Sequence, residues 1–470
     1  MRKNDCFELT IEDLSEEGQG VGKRDCYVWF VKDAVPGDRV LAQAVKVGKS
    51  YGYARISRIL EPSGDRTGPR CPAAGPCGGC DLQVMDYRAQ LRFKEKKVKD
   101  HLERIGGVRD FMMEPILGME EEGPWRYRGK AQVPVGLSPD GRVITGYYAA
   151  RSHRIVECPD CLLGPEENET ILAVIRRFLA DYHILPYDEA RHEGVVRHVL
   201  IRKGFKTGQI LVCLIINAEK LPHTDELVRR LREIPGIACI SLNINREKTN
   251  VILGKKTVTL FGTGTIDDYI GNVRFSISPQ SFFQVNPIQV EKLYRTALEY
   301  AELTGGENVW DLYCGIGTIS LFLAAKAGKV RGVEIVEQAV RDARKNAAAN
   351  GIRNVEFYAG KAEEVFPAVY AATGERADVV VVDPPRKGCD ETLLSTIADM
   401  APDRIVYVSC NSATLARDVK LLSGRGYRLI KARCCDMFPM STHVETVCLL
   451  SKLSEAKNHI SVKGDIDDKD

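Results

Sequence analysis

Apolar and polar positions change period along this 470-residue chain. In the first sixty residues, short runs (Cys6 to Ile11, Tyr27 to Val31, Arg39 to Val47, Tyr53 to Leu60) alternate with Gly18-Gln19-Gly20, Pro36-Gly37-Asp38 and Gly48-Lys49. Turn residues at that spacing cut the chain into four or five short strands, which predicts a small OB-like β-barrel over residues 1–60. Between Asp86 and Ile105 the period becomes helical (Tyr87, Leu91, Val98, Leu102, Ile105), and Gly106-Gly107 stops it. Strand patterns at Arg197 to Arg202 and Ile210 to Ile216, with a helix around Glu167 to Tyr182, predict a central α+β domain spanning 61–275. From Ser276 the pattern is β-α-β-α, the signature of a Rossmann-like, doubly wound parallel sheet over 276–453. Ser454 to Asp470 is charged and apolar-poor, and is expected to be a disordered tail. The fold class is therefore α/β, in several domains.

The stretch Val406-Tyr407-Val408-Ser409-Cys410-Asn411 reads as a buried strand delivering a thiol to its carboxyl end, where open α/β sheets keep their chemistry. Asn411 or Ser412 caps the helix that follows, and its dipole is expected to favour the Cys410 thiolate. Upstream, a strand from Asn308 to Leu312 runs into Tyr313-Cys314-Gly315-Ile316-Gly317-Thr318, where glycines let a ligand approach the backbone. Seventeen residues after Gly317, a second strand ends in Glu334, placed to take the hydroxyls of a ribose. A third ends in Asp383-Pro384-Pro385, a rigid turn at the sheet's working edge. The full Gly-x-Gly-x-x-Gly of dinucleotide enzymes is missing, so S-adenosylmethionine is the better fit. Glu445 opens an apolar strand that would close the sheet beside Cys410, pairing a carboxylate base with a thiol nucleophile.

Composition excludes some classes. Apolar content of 44%, charged content of 28% and a net charge of +2 describe a globular protein without a global basic field. No apolar run is long enough for a membrane span or signal peptide, so a cytoplasmic location is expected. Fifteen cysteines then mean thiols, metal ligands or catalysis. Cys71, Cys77 and Cys80 sit in a glycine- and proline-rich loop, and Cys158 and Cys161 follow later. Cys77, Cys80, Cys158 and Cys161 would make a paired zinc site. The three early cysteines plus one later cysteine would suit an iron–sulfur cluster. From Arg39 to Leu60 the chain carries Arg39, Lys46, Lys49, Arg55 and Arg58, no acid, and Tyr51 and Tyr53 interleaved, which predicts an RNA-gripping face.

Ser281-Phe282-Phe283-Gln284-Val285-Asn286, Asp311 to Gly317, Asp383-Pro384-Pro385-Arg386-Lys387-Gly388, Ser409-Cys410-Asn411 and His443-Val444-Glu445 together resemble the RNA uracil-5 methyltransferases, in order and over nearly the whole chain. The first sixty residues resemble a TRAM barrel, and the cysteine loop resembles the iron–sulfur knuckle of the 23S ribosomal RNA branch. The resemblance implies that Gln284, Tyr313, Thr318, Glu334 and Asp383 contact S-adenosylmethionine, that Cys410 is the nucleophile, and that Glu445 is the base. It implies a [4Fe-4S] cluster on Cys71, Cys77, Cys80 and Cys161. It also implies that the helix near 86–105 packs on the catalytic domain. Met440 stands where many relatives carry histidine or glutamine. The expected partner is RNA, a single-stranded or loop region of 23S ribosomal RNA, met by a monomer. The alternatives are a tRNA uracil-5 methyltransferase and a non-catalytic iron–sulfur RNA-binding factor.

Overall fold

The computed structural model describes residues 1–121 and 123–453, and the expected disordered tail lies outside the described residues. The first sheet has six strands, in the order Cys6–Thr10, Arg39–Val47, Tyr51–Glu61, Tyr27–Lys32, Gly20–Arg24 and Asp13–Leu14. Alternate residues of Arg39–Val47 are buried, placing Val40, Ala42 and Ala44 around Trp29 and Phe7, whose rings are 4.5 Å apart. Gly52 is required here, since a Cβ would stand 2.5 Å from the Trp29 ring. Fully buried Asp38 accepts from Val35 and Ser63 backbone N–H groups and from Arg66, which closes the barrel's exit.

The second sheet has seven strands, ordered Ile155–Glu157, Val143–Tyr148, Lys130–Leu137, Val196–Lys203, Ile210–Ile216, Ile237–Ile244 and Lys256–Phe261. Every residue of Ile210–Ile216 is buried, and the two-residue period divides it between two cores. Val212, Leu214 and Ile216 face the helices Glu167–Asp181 and Thr224–Arg232. Leu211, Cys213 and Ile215 join the core that runs on into the third sheet.

That third sheet has eight strands, in the order Val355–Ala359, Lys329–Glu334, Asn308–Asp311, Val379–Val382, Arg404–Ser409, Glu445–Lys452, Tyr427–Cys435 and Met112–Leu117. The first five are mutually parallel, and Glu445–Lys452 lies antiparallel between its neighbours. Met112–Leu117 comes from far upstream and adds a parallel edge strand. The helix Tyr87–Arg104, capped by Asp86, is seated on the same unit: Val98 and Leu102 are buried with Leu415, Ala416 and Val419. Its Lys94 ammonium meets the Asp436 carboxylate at 2.5 Å, both fully buried, and Tyr87 donates to the same carboxylate at 2.9 Å. A buried charge persists only when it is paired, so this ion pair fixes how the helix sits on the sheet.

Candidate active site

All the catalytic and cofactor residues expected from the sequence line one cavity of about 850 Å³ at the carboxyl ends of the parallel strands: Gln284, Tyr313, Thr318, Glu334, Asp383, Cys410 and Glu445. Their convergence follows from sheet order, which sets strands from distant parts of the chain side by side.

At the glycine turn, Gly315 and Gly317 take positive φ (55° and 84°), and Gly317 opens the helix Thr318–Leu323. A Cβ on Gly317 would press the Phe357 ring at 3.0 Å, whereas nothing lies within 4 Å of one on Gly315. The turn is thus closed on its protein side and open towards the cavity. Glu334 holds it there, accepting from Gly315 N at 3.2 Å and from Val336 N at 2.9 Å. Beneath it, burial pushes the Asp311 carboxyl up to about 6, although Ser320 donates to it at 2.6 Å. Tyr294 donates to the Thr318 hydroxyl at 3.0 Å, fixing that side chain at the helix start.

Cys410 follows the last residue of Arg404–Ser409, and Asn411 caps the helix Ser412–Ser423 by accepting from Ala413 N and Thr414 N. The Asn411 amide also donates to the Arg386 carbonyl at 3.2 Å, tying the cysteine's turn to the Asp383-Pro384-Pro385-Arg386 loop. The antiparallel register pairs Ser409 with Thr446, so one step further Cys410 stands across from Glu445. The expectation that the helix dipole favours thiolate is corrected here. Burial, then the carboxyls of Glu445 and Asp383, push the Cys410 thiol up to about 11, and Arg386 offsets this only in part. A dipole acts through partial charges, and here it is outweighed by desolvation together with neighbouring acids. Glu445 and Asp383 are themselves raised. Burial is the first cause for both, followed by mutual repulsion for Glu445 and by Asp311 for Asp383. Among the described residues no hydrogen bond satisfies either carboxyl. The cavity therefore presents a cluster of desolvated acids, an environment that favours a bound cation.

Sequence reading passed over three side chains. Arg386, Phe438 and His443 line this cavity and also a second one of about 330 Å³. Burial and nearby Arg386, Lys97, Lys94 and Arg128 push His443 down to about 4, so it is neutral at pH 7. His443 and Arg386 stand in the motifs quoted above, but their place at the cavity was not legible there, because the groups around them come from elsewhere in the chain.

Around the second cavity stand Cys71, Cys77, Cys80, Cys158 and Cys161, with Trp125, Tyr127 and Tyr147. Burial, with repulsion from Cys161, Cys77 and Cys71, pushes Cys80 up to about 12. A single zinc ion needs its sulfurs about 2.3 Å from one centre. Among the described residues no group of three or more histidine, cysteine, aspartate or glutamate side chains is placed to hold a metal ion, so neither the zinc site nor the expected [4Fe-4S] cluster is shown. The Cys158 thiol is directed to the Asp160 carbonyl at 3.5 Å.

On the barrel, Phe30, Tyr51 and Tyr53 form a cluster with ring separations of 5.6 to 5.8 Å, and Tyr51 is half exposed. Arg39 is less free than the sequence suggested. It pairs with Glu61 at 2.5 Å and Glu8 at 3.3 Å, acids that the sheet brings in from either side. No helix among the described residues is long and apolar enough to cross a membrane.

A parallel sheet carrying a glycine turn, a strand-end glutamate and an acid–proline–proline turn around one cavity is the architecture of the Rossmann-like methyltransferases. The sequence matches the tRNA (uracil-5-)-methyltransferase family over residues 239–453 and the TRAM domain over residues 3–56. It is 51% identical to an uncharacterized RNA methyltransferase of Halalkalibacterium halodurans, covering 96% of this chain and 98% of that protein. Uncharacterized RNA methyltransferases of Listeria monocytogenes (50%) and Clostridium tetani (46%) match over 96% and 97% of this chain and 98% of theirs. Among solved structures, the Pyrococcus abyssi tRNA (uracil-54, C5)-methyltransferase in complex with S-adenosyl-L-homocysteine superposes with a TM-score of 0.75. It is 28% identical and covers 94% of this chain and 99% of that one. The chain belongs with these RNA methyltransferases, is an enzyme of that class, and carries a uracil-5 methyltransferase family domain.

Proposed function

We propose that this enzyme methylates carbon 5 of a uridine in 23S ribosomal RNA, using S-adenosylmethionine and a covalent adduct between Cys410 and carbon 6. The observation that carries the reading is the register that sets Cys410 across from Glu445 on the floor of the cavity. Gln284, Tyr313, Thr318, Glu334 and Asp383 would hold the cofactor, and the open glycine turn and unsatisfied acids suit a nucleoside bearing a cation. When bound, S-adenosylmethionine supplies an electrophilic methyl group on a sulfonium. Carbon 5 of uracil is too weak a nucleophile to take it unaided. Cys410 loses its thiol proton to solvent water, its sulfur bonds to carbon 6, and the ring's double-bond electrons shift towards carbon 5 and the carbonyl. After carbon 5 has gained its methyl group, Glu445 removes the hydrogen still on that carbon. The electrons reform the ring double bond and expel the Cys410 sulfur. Arg386 and neutral His443 border the reacting groups.

A stacked uridine cannot reach Cys410, so the target must be flipped out of a single-stranded or loop region. The aromatic cluster of the barrel suits the flanking strand, as do Lys46 and Lys49, whose ammonium groups have no ion-pair partner among the described residues. The 23S branch is favoured by the cysteine cavity, where Cys71, Cys77, Cys80 and Cys161 would hold a [4Fe-4S] cluster. What supports this is that the four thiols line one aromatic-walled cavity together with Cys158, whose thiol meets the Asp160 carbonyl. A second reading, tRNA as substrate, is supported by the similar Pyrococcus enzyme, whose name specifies tRNA.

Two variants test the mechanism. Cys410→Ala is expected to abolish methylation and any covalent link to RNA. Glu445→Gln keeps the thiol, so enzyme should accumulate bound to methylated RNA as a band stable on a denaturing gel. Normal turnover by Glu445→Gln would place the base elsewhere. Mapping 5-methyluridine in ribosomal and transfer RNA from cells lacking the gene decides between the substrates.

A further inference from the structure

Lys130 and Arg202 stand directly opposite each other on the adjacent strands Lys130–Leu137 and Val196–Lys203. Like charges so placed destabilise a sheet, and burial adds to the cost: Arg202 is 3% exposed and Lys130 is half-buried. Among the described residues no acid is paired with either. Burial, then Arg202 and Arg128, push the Lys130 ammonium down to about 8, with no carboxylate opposing the shift. Among the described residues the side chains of Lys130 and Arg128 have no hydrogen-bond or ion-pair partner. The buried Nε of Arg202 has none either. The rest of the Arg202 guanidinium donates to the carbonyls of Ser281 and Pro279. It thereby pins the segment whose next residues, Phe282, Phe283 and Gln284, wall the catalytic cavity. Lys130, Arg202, Phe283 and Gln284 border a common small void, and Arg128 lines the neighbouring cysteine cavity. Among the described residues these three cations thus converge beside the cavity wall without a paired acid.

We propose that Lys130, flanked by Arg128 and Arg202, is the seat of one backbone phosphate of the RNA strand that carries the target nucleotide; this rests on the reading of RNA as substrate given above. The Lys130 ammonium donates to a phosphate oxygen. Arg202, committed to the Ser281 and Pro279 carbonyls, contributes charge and holds the wall in place. A phosphate seated there fixes the strand at the edge of the cavity, which helps set how far a flipped base reaches towards Cys410. The carboxylate of the cofactor's amino-acid portion is the other anion that could neutralise these cations, and the experiment separates the two.

The test uses full-length enzyme, Lys130→Met, which retains the buried stem, and Lys130→Arg, which restores the charge. Dissociation constants are measured for an RNA hairpin that the wild type methylates, between about 50 and 200 mM KCl, a range over which phosphate contacts change affinity strongly. Lys130→Met is expected to weaken RNA binding and to lower the slope of log K against log salt by about one contact. Lys130→Arg should behave as wild type, and S-adenosylhomocysteine affinity by calorimetry should be unchanged in both. Without RNA, Lys130→Met should melt at the wild-type temperature or above, because a like-charge repulsion is gone. RNA affinity and salt slope equal to wild type would overturn the proposal. So would a loss of S-adenosylhomocysteine affinity with RNA binding intact, which would assign the cations to the cofactor. A wild type that neither binds nor methylates any RNA would instead overturn the underlying reading of function.

Discussion

Cys410 is held as a thiol in the free enzyme, its proton retained by burial and by the two carboxyls beside it. Alkylation of Cys410 by iodoacetamide, followed by mass spectrometry of its peptide, should therefore be slow at pH 7. It should rise about tenfold per pH unit, in step with the thiolate fraction, towards the value of about 11. A plateau below pH 9 would show that the acids do not control the thiol. Asp383 and Glu445 give a linked prediction. Both are raised, so the fold holds protons that the unfolded chain has already lost above the ordinary carboxylate range. Stability of the free enzyme should accordingly fall as pH rises from that range through the raised values. A sulfonium bound beside these groups favours their charged forms, so cofactor binding should release protons and tighten as pH rises. Calorimetry in two buffers of different ionisation enthalpy measures this directly. Equal apparent enthalpies would mean that neither acid changes its proton on binding.

At the scale of elements, the helix Tyr87–Arg104 and the segment from Asp436 to Val444 behave as one piece. Lys94 donates to the Asp436 carboxylate and to the Phe438 carbonyl, Tyr127 donates to the Pro439 carbonyl, and Asp81 and Leu82 donate to that of Met440. The segment shapes both the catalytic and the cysteine cavities through Phe438 and His443. Lys94→Met leaves Asp436 buried without its cation. That should cost about 3–5 kcal/mol, seen as a lower melting temperature and faster amide exchange between Phe438 and Glu445. An unchanged melting temperature would mean that Tyr87 alone suffices for Asp436. Met440 takes φ 68°, and its carbonyl and buried thioether face the cysteine loop and Gln90. Its place is one of packing and backbone geometry, which explains why a residue without a polar head serves there.

For the whole molecule, the arrangement joins a barrel, a seven-stranded sheet and a catalytic sheet through shared walls. Replacing Lys46, Lys49 and Arg55 together should weaken RNA binding and flatten its salt dependence while leaving cofactor affinity intact. Unchanged RNA affinity would make that strip a solvated face. Arg55 is expected to contribute least, since Gln43 already accepts from its guanidinium at 2.9 and 2.7 Å. Protein purified without oxygen should be brown, absorbing near about 400 nm from sulfur-to-iron charge transfer. Cys161→Ser should bleach it and Cys158→Ser should not. Stoichiometric zinc without iron would overturn the cluster.

Local pattern alone determined that the chain ends in a parallel α/β sheet, begins with a small barrel, and offers a strand-end thiol, a glycine turn, a strand-end glutamate and an acid–proline–proline turn. Each of these is written in a few consecutive residues: period-two or continuous apolar runs, turn glycines, and a polar residue where a strand stops. Sheet order and register were decided only by tertiary structure, because they depend on which strands share a core. Pairing Ser409 with Thr446 is what sets Cys410 across from Glu445. Bringing Met112–Leu117 to the edge of a sheet formed hundreds of residues later is invisible to local reading. The same holds for charge. The sequence placed Cys410 at a helix start and so expected a thiolate, whereas the fold surrounded it with buried acids. It showed Arg39 among cations, whereas neighbouring strands supplied Glu8 and Glu61. A dipole or a charge run is a property of a segment, but a pKa is set by everything within a few ångströms, and that neighbourhood exists only once the chain has folded.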